Sequence, residues 1–301
     1  MRRNVLIDAP SNLGLRPPAP GAVPGCYKLA GALREQGLLR RLGAQEGGVV
    51  VPPRYGLGEW REGDGDFHAA ALAQYSVRLA RRIQGHVRNG DFPVVLGGDC
   101  SILLGSVLAL RRLGRYGVAY LDGHSDFRHP GNTEVSGPVG AAAGEGAAQI
   151  TGRGQPDLTD IEGLRPYVRD EDVNLLGIRD ADTDQGELAR LGISCTNVGE
   201  IRRRGPETVA RAALGHLQNS PLDGFWIHLD ADVLDPSVMP AVDSPDPDGL
   251  STEELRALLG PLAASPRCVG IDVAIYDPDR DPDGSGAVLL ADLLEGVFAQ
   301  P

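Results

Sequence analysis

Three short stretches of this 301-residue chain hold most of the side chains that could do chemistry together. They are Gly97-Gly98-Asp99-Cys100-Ser101, Asp122-Gly123-His124-Ser125-Asp126, and His228-Leu229-Asp230-Ala231-Asp232 with its extension to Asp235-Pro236. Each follows an apolar run of the kind that forms a buried strand. Side chains at i, i+2 and i+4 of an extended segment point the same way. Asp122, His124 and Asp126 therefore converge in the sequence reading, and so do Asp230 and Asp232. Four carboxylates and an imidazole at one place repel one another and lose hydration, so they must take up protons or bind cations. Two divalent metal ions that share carboxylates resolve the conflict, and such a pair supplies a bridging hydroxide at neutral pH. One D-x-D alone reads as a solvated loop. Two such clusters and a third strand-end site read as a metal centre.

The segments that must position these residues alternate along the chain. Strands are expected at Val5–Ile7, Val49–Val51, Val94–Leu96, Val118–Leu121, Val173–Ile178, Phe225–Leu229 and Val269–Val273. Their nearly continuous aliphatic character fits parallel strands covered on both faces. Helices are expected at Tyr27–Leu39, Ala69–Val87, Ile102–Leu113, Pro206–Leu217, Thr252–Leu262 and Ala287–Phe298, with Ser251 and Glu254 placed for a capping box. Strand–helix alternation over the full length predicts an α/β fold with one parallel sheet sandwiched by helices. No linker or internal repeat divides it, so residues 1–301 read as a single domain. In such sheets ligand sites form where strand C-termini meet, which is where all three clusters fall. The Gly- and Ala-rich stretch Arg128–Pro156 has no clear periodicity and reads as a long functional loop. Asp279-Arg280-Asp281-Pro282-Asp283-Gly284 imitates the start of a calcium loop. Its twelfth position is Leu290, however, and Pro282 interrupts it, so it reads as an acidic turn.

Composition narrows the function. There are 29 basic and 41 acidic residues, a net charge of −12, which argues against nucleic-acid or anionic-membrane surfaces. No apolar run approaches the roughly 18 residues of a membrane span. The start, MRRNVLIDAP, reads as a first strand and not as a signal peptide. Cys26, Cys100, Cys195 and Cys268 lie far apart without a C-x-x-C pair, so free thiols in a cytoplasmic protein are expected. His68, His86, His129 and His216 read as surface residues, with His129 near enough to the second cluster to relay protons. His228 reads as a neighbour of the metals or a core residue.

The three clusters resemble the signatures G-G-D-H-S, D-A-H-x-D and S-x-D-x-D-x-x-D-P of the ureohydrolase family, which includes arginase, agmatinase and formimidoylglutamase. Leu176-Gly177-Ile178-Arg179-Asp180-Ala181-Asp182 is similar to the family segment G-x-R-D-x-D, and the likeness runs from about Val5 to about Phe298. The resemblance implies an arginase-like three-layer α/β/α fold and two divalent ions, Mn²⁺ by family habit. It places Asp122 and Asp230 as bridges, Asp126 with the first ion, and His124 and Asp232 with the second. It implies that a metal-bridging hydroxide attacks the amidine or guanidine carbon, that Asp126 passes the proton to the leaving amine, and that Asp182 meets the amino end of the substrate. It further implies a small-molecule amidine or guanidino substrate and a homo-oligomer, trimer or hexamer.

Departures from the pattern bear on substrate and metal. Cys100 stands where the family has a metal-binding His. A thiolate is softer than imidazole and moves preference toward Zn²⁺ or Fe²⁺. Ile275 stands where the family Glu of D-x-x-E-V-x-P holds the guanidinium. Asp272 and Asp277 are nearby acids that could stand in for it. Arg128, with Ser136-Gly137 further on, is closer to formimidoylglutamase, where a substrate carboxylate must be held, and a planar guanidinium suits a carboxylate. The expectation is a metal-dependent hydrolase of a C–N bond in a linear amidine or guanidine. The alternatives are a formimidoylglutamase-like enzyme acting on an acidic substrate and a non-catalytic relative with a partial metal site.

Overall fold

The computed structural model describes residues 2–218 and 221–299. Eight parallel strands form one sheet in the order β2-β1-β3-β8-β7-β4-β5-β6 among these residues. They are β1 (Asn4–Asp8), β2 (Gln45–Val49), β3 (Phe92–Leu96), β4 (Tyr116–Leu121), β5 (Val173–Ile178), β6 (Ser194–Asn197), β7 (Gly224–Asp230) and β8 (Cys268–Ala274). The central strands are apolar on both sides because both sides are covered. Phe225, Ile227 and Leu229 of β7 pack with the helices Leu29–Glu35, Pro206–Leu217, Thr252–Ala264 and Ser285–Phe298. Trp226 points the other way, into a core shared with the helices Ala69–Arg88 and Ile102–Arg111. Each such fully buried side chain contributes about 1.5–3 kcal/mol.

One strand expectation needs correction, and one strand was not expected. The second strand occupies Gln45–Val49, where Val49–Val51 was expected, and it is an exposed edge. β6 carries Ser194, Cys195, Thr196 and Asn197 on the opposite edge and offers no apolar run to read. The expected helix Tyr27–Leu39 is broken: a 3-10 turn leads into Leu29–Glu35, and Gly37, at φ +74°, starts a separate turn of helix at Leu38–Arg41. Ser251 and Glu254 form the capping box. The Asp279–Gly284 stretch lies in and after a 3-10 turn, Pro278–Arg280. No helix among the described residues is long and apolar enough to cross a membrane.

Candidate metal centre

The chain leaves the C-terminal ends of β3, β4 and β7 through turns that carboxylates close. Asp99 Oδ1 accepts the Ser101 amide (2.8 Å), Asp122 Oδ1 the His124 amide (2.6 Å), and Asp230 Oδ1 the Asp232 amide (2.7 Å). These Asx-type turns bring the side chains together. The extended alternation expected for Asp122, His124 and Asp126 ends at Leu121, and Asp126 itself has φ +46°. Two glycines make the close approaches possible. A Cβ on Gly98 would fall 1.6 Å from the Ser11 carbonyl oxygen, and one on Gly123 would fall 2.7 Å from that of Asp232.

Two donor groups result. Cys100, Asp122, His228 and Asp230 form one, and Asp122, His124 and Asp232 the other, with the donor atoms of each group within 4.8 Å of one another. Asp122 belongs to both. Its Oδ2 and the Nε2 of His228 are buried and find no hydrogen-bond partner among the described residues. Asp126 lies outside both groups and accepts the Tyr120 hydroxyl at Oδ2 (2.7 Å).

Electrostatics point the same way. Burial, and then the charges of Asp126, Asp230 and Asp232, push the Asp122 carboxyl well up. Burial and the Asp232 charge do the same to Asp230. Burial raises the Cys100 thiol, reinforced by Asp230, Asp126 and Asp122, and the thiol donates to Asp230 Oδ2 (2.6 Å). Burial disfavours a charged His124, but the hydrogen bond and charge of Asp232 outweigh it and push the imidazole up to about 10. Protons thus fill a place that a divalent cation would take by displacing them. The S, N and O donors and the orphaned buried atoms fit such a cation.

Above the groups opens a cavity of about 1130 Å³, lined in part by Arg16, Trp60, Cys100, His124, Asp126, Arg128, Ser136, Asp182, Asp184, Asp230, Asp232, Asp243, Asp246 and Ile275. Asp182 accepts the amides of Ser125 and Asp184 (both 2.9 Å). Ser136 Oγ donates to Asp184, and Arg128 Nε donates to the Ser136 carbonyl (2.9 Å), so Arg128, Ser136 and Asp182 share one network. Ile275 is buried in the wall at φ +70°, an uncommon conformation for a β-branched residue. Its amide donates to the Gly98 carbonyl (2.7 Å).

Neither acid considered as a stand-in at position 275 lines the cavity. Asp272 is bound to Trp226 and His228, and Asp277 accepts the Gly25 and Asp279 amides. Asp243 and Asp246 do line it, and Asp246 meets His124 Nε2 at 3.1 Å. Sequence reasoning missed both, although the acid- and Pro-rich run Asp243-Ser244-Pro245-Asp246-Pro247-Asp248 was their signal. It quoted Arg179 in the G-x-R-D-x-D-like segment but gave it no role; its buried guanidinium donates to the carbonyls of Asp232 (2.8 Å), Asp246 (2.8 Å) and Pro247 (3.0 Å) and so shapes the loop after β7. His129 packs between the Phe127 ring and Glu187, away from the cavity lining. His68 and His86 are half-buried and hydrogen-bonded, not free surface residues.

The arginase family model matches residues 24–299. An arginase of Bacillus caldovelox is 31% identical over 232 residues, 76% of either chain. The crystal structure of Bacillus caldovelox arginase superposes with a TM-score of 0.87 at 28% identity, covering 100% of this chain and 99% of that one. The formimidoylglutamase of Bacillus subtilis shares the fold at a TM-score of 0.75 and 19% identity, covering 99% of this chain and 87% of that one.

Proposed function

This chain belongs to the arginase family, whose members hydrolyse C–N bonds of amidino groups, and from that premise we propose a substrate and a division of labour among its residues. The substrate is a linear amidine or guanidine whose amidino group is less basic than, or differently substituted from, that of arginine or agmatine. The observation that carries this reading is the pairing of two donor groups sharing Asp122 with an aliphatic Ile275 in the wall above them. A guanidinium needs an anion to offset its desolvation, and Ile275 leaves it unpaired on that side.

Cys100, Asp122 and Asp230 would hold one divalent ion, and Asp122, His124 and Asp232 a second. Bound there, they supply Lewis acidity and lower the pKa of water. Mn²⁺ follows family habit, and the Cys100 sulfur favours Zn²⁺ or Fe²⁺. Asp126, steadied by Tyr120, carries the proton to the departing amine. Asp182 receives the amino end of the substrate, beside Ser136. Arg128 supports a second reading, a formimidoylglutamase-like hydrolase of an acidic substrate, since its guanidinium is held at the cavity by the Ser136 carbonyl. Residues 1–301 act as one domain in either case, which the single sheet from Asn4 to Ala274 supports.

The test is metal analysis of the purified protein, followed by a screen for urea, formamide and ammonia. Guanidino and formimidoyl compounds are supplied with Mn²⁺, Zn²⁺ and Fe²⁺ in turn. Turnover of one of them is expected, with kcat/KM on arginine and agmatine below about 10⁴ M⁻¹s⁻¹, the low end of ordinary enzymes. A value above that on either compound overturns the inference from Ile275. Metal-loaded protein that turns over nothing overturns the hydrolase reading.

A further inference from the structure

β4, β7 and β8 set Tyr120, His228 and Asp272 in register across one face of the sheet. His228 and Asp272 are completely buried. One oxygen of Asp272 meets the Trp226 indole N–H and the other meets His228 Nδ1. A carboxylate only accepts, so the proton of a neutral His228 sits on Nδ1 and Nε2 presents its lone pair. That nitrogen has no hydrogen-bond partner among the described residues, and His228 offers a ring nitrogen within 4.8 Å of Cys100 Sγ and of carboxylate oxygens of Asp122 and Asp230. Asp122 Oδ2 likewise has no partner among the described residues. Leaving a buried polar group unpaired costs the folded state its lost hydration. Two orphaned atoms on residues that share a donor group with a thiol have one common remedy, a cation.

We infer that His228 Nε2 is a direct ligand of the ion held by Cys100, Asp122 and Asp230, and that Asp272 is the positioning residue that orients it. This rests on the metal-dependent reading proposed above. A metal-bound histidine almost always gives its second ring nitrogen to a carboxylate or carbonyl, the arrangement Asp272 supplies from below. The donors are then one sulfur, one imidazole nitrogen and two carboxylates, the count and types that suit zinc. The sequence shows the same exchange. An imidazole is missing at position 100, where the resembled pattern has His, and one is present at 228, where that pattern has Ser. The ring reaches the same ion from the sheet instead of from the loop after β3.

The direct test is a crystal structure of the wild-type protein loaded with zinc, with the ion located by anomalous scattering. Expected distances are about 2.0–2.1 Å to Nε2 and about 2.3 Å to Sγ. Zinc on Cys100 with Nε2 beyond about 3 Å overturns the inference and leaves the metal-dependent reading standing, given those bond lengths. Zinc at neither group overturns both. In solution, cobalt titration followed by the thiolate-to-cobalt absorption band reads the same ion. Asp272→Asn should weaken its binding about 10–100-fold, as loss of a ligand-orienting partner does, and His228→Ser at least as much. Circular dichroism of the metal-free variants separates this from misfolding. Folded variants that bind cobalt as the wild type does overturn the inference.

Discussion

Among the described residues Asp122 is the one carboxylate that belongs to both donor groups, and one of its oxygens has no hydrogen-bond partner there. Asp122→Asn should therefore lower metal content at both groups, and Asp230→Asn should remove at least one ion. Elemental analysis of each variant after dialysis checks this, and wild-type stoichiometry in both refutes it. Asn keeps the shape and the turn-closing acceptor but not the anionic charge, so the change isolates charge from packing. Those two acids, with Cys100, His124 and Asp232, were legible in the sequence because each sits in a contiguous motif directly after a strand. His228 was read only as a metal neighbour or a core residue. Its role depends on Asp272 and Trp226, which lie on the neighbouring strand and its own, and no linear spacing reveals that contact.

The loop over the cavity depends on a different pair of acids. Glu145 Oε1 accepts the amides of Gly140 and Ala141 (2.7 and 3.2 Å), and Gln149 Nε2 links its other oxygen (3.3 Å) to Asp66 Oδ2 (3.1 Å). Burial, and then the charge and hydrogen bond of Glu145, push the Asp66 carboxyl up to about 8. The folded state therefore holds a proton that the unfolded chain releases near pH 4. The stabilisation is complete below that value, declines above it, and is lost as pH rises through about 8. Amide exchange at Gly140 and Ala141, corrected for its intrinsic pH dependence, should accelerate across that window, and Asp66→Asn should flatten the step. A wild-type profile without the step refutes the proton on Asp66. The pair was invisible in the sequence because 79 residues separate its members, and Arg128–Pro156 showed only as a loop without periodicity. β5 and the helix Pro206–Leu217, by contrast, were read to the residue, since a mostly aliphatic run marks the first and an N-terminal proline the second. The edge strand β6 and the helices Gln185–Leu191 and Val198–Arg204 escaped because each buries only one or two side chains.

At the scale of the whole molecule, parallel strands bring every cluster to one edge, and the buried charge gathered there ties stability to metal. An ion that binds only the folded state stabilises it by about 2.7 kcal/mol at a hundred times its Kd. For a chain of this size that shifts the melting midpoint by about 4 °C. Thermal scans with and without chelator should show a fall of that order, and an unchanged midpoint would count against a structural stake in the ions. The acids around the cavity, Asp182, Asp184, Asp243 and Asp246, have a further effect that acts before any contact is made. In a molecule of net charge −12, they concentrate negative potential in a concave, low-dielectric opening. Cations are drawn in faster than diffusion alone delivers them, and added salt slows their arrival, because the Debye length is only about 8 Å at physiological ionic strength. An anionic substrate meets the opposite field and arrives faster as salt is added. The salt dependence of the association rate therefore reports the charge of the natural substrate before its structure is known.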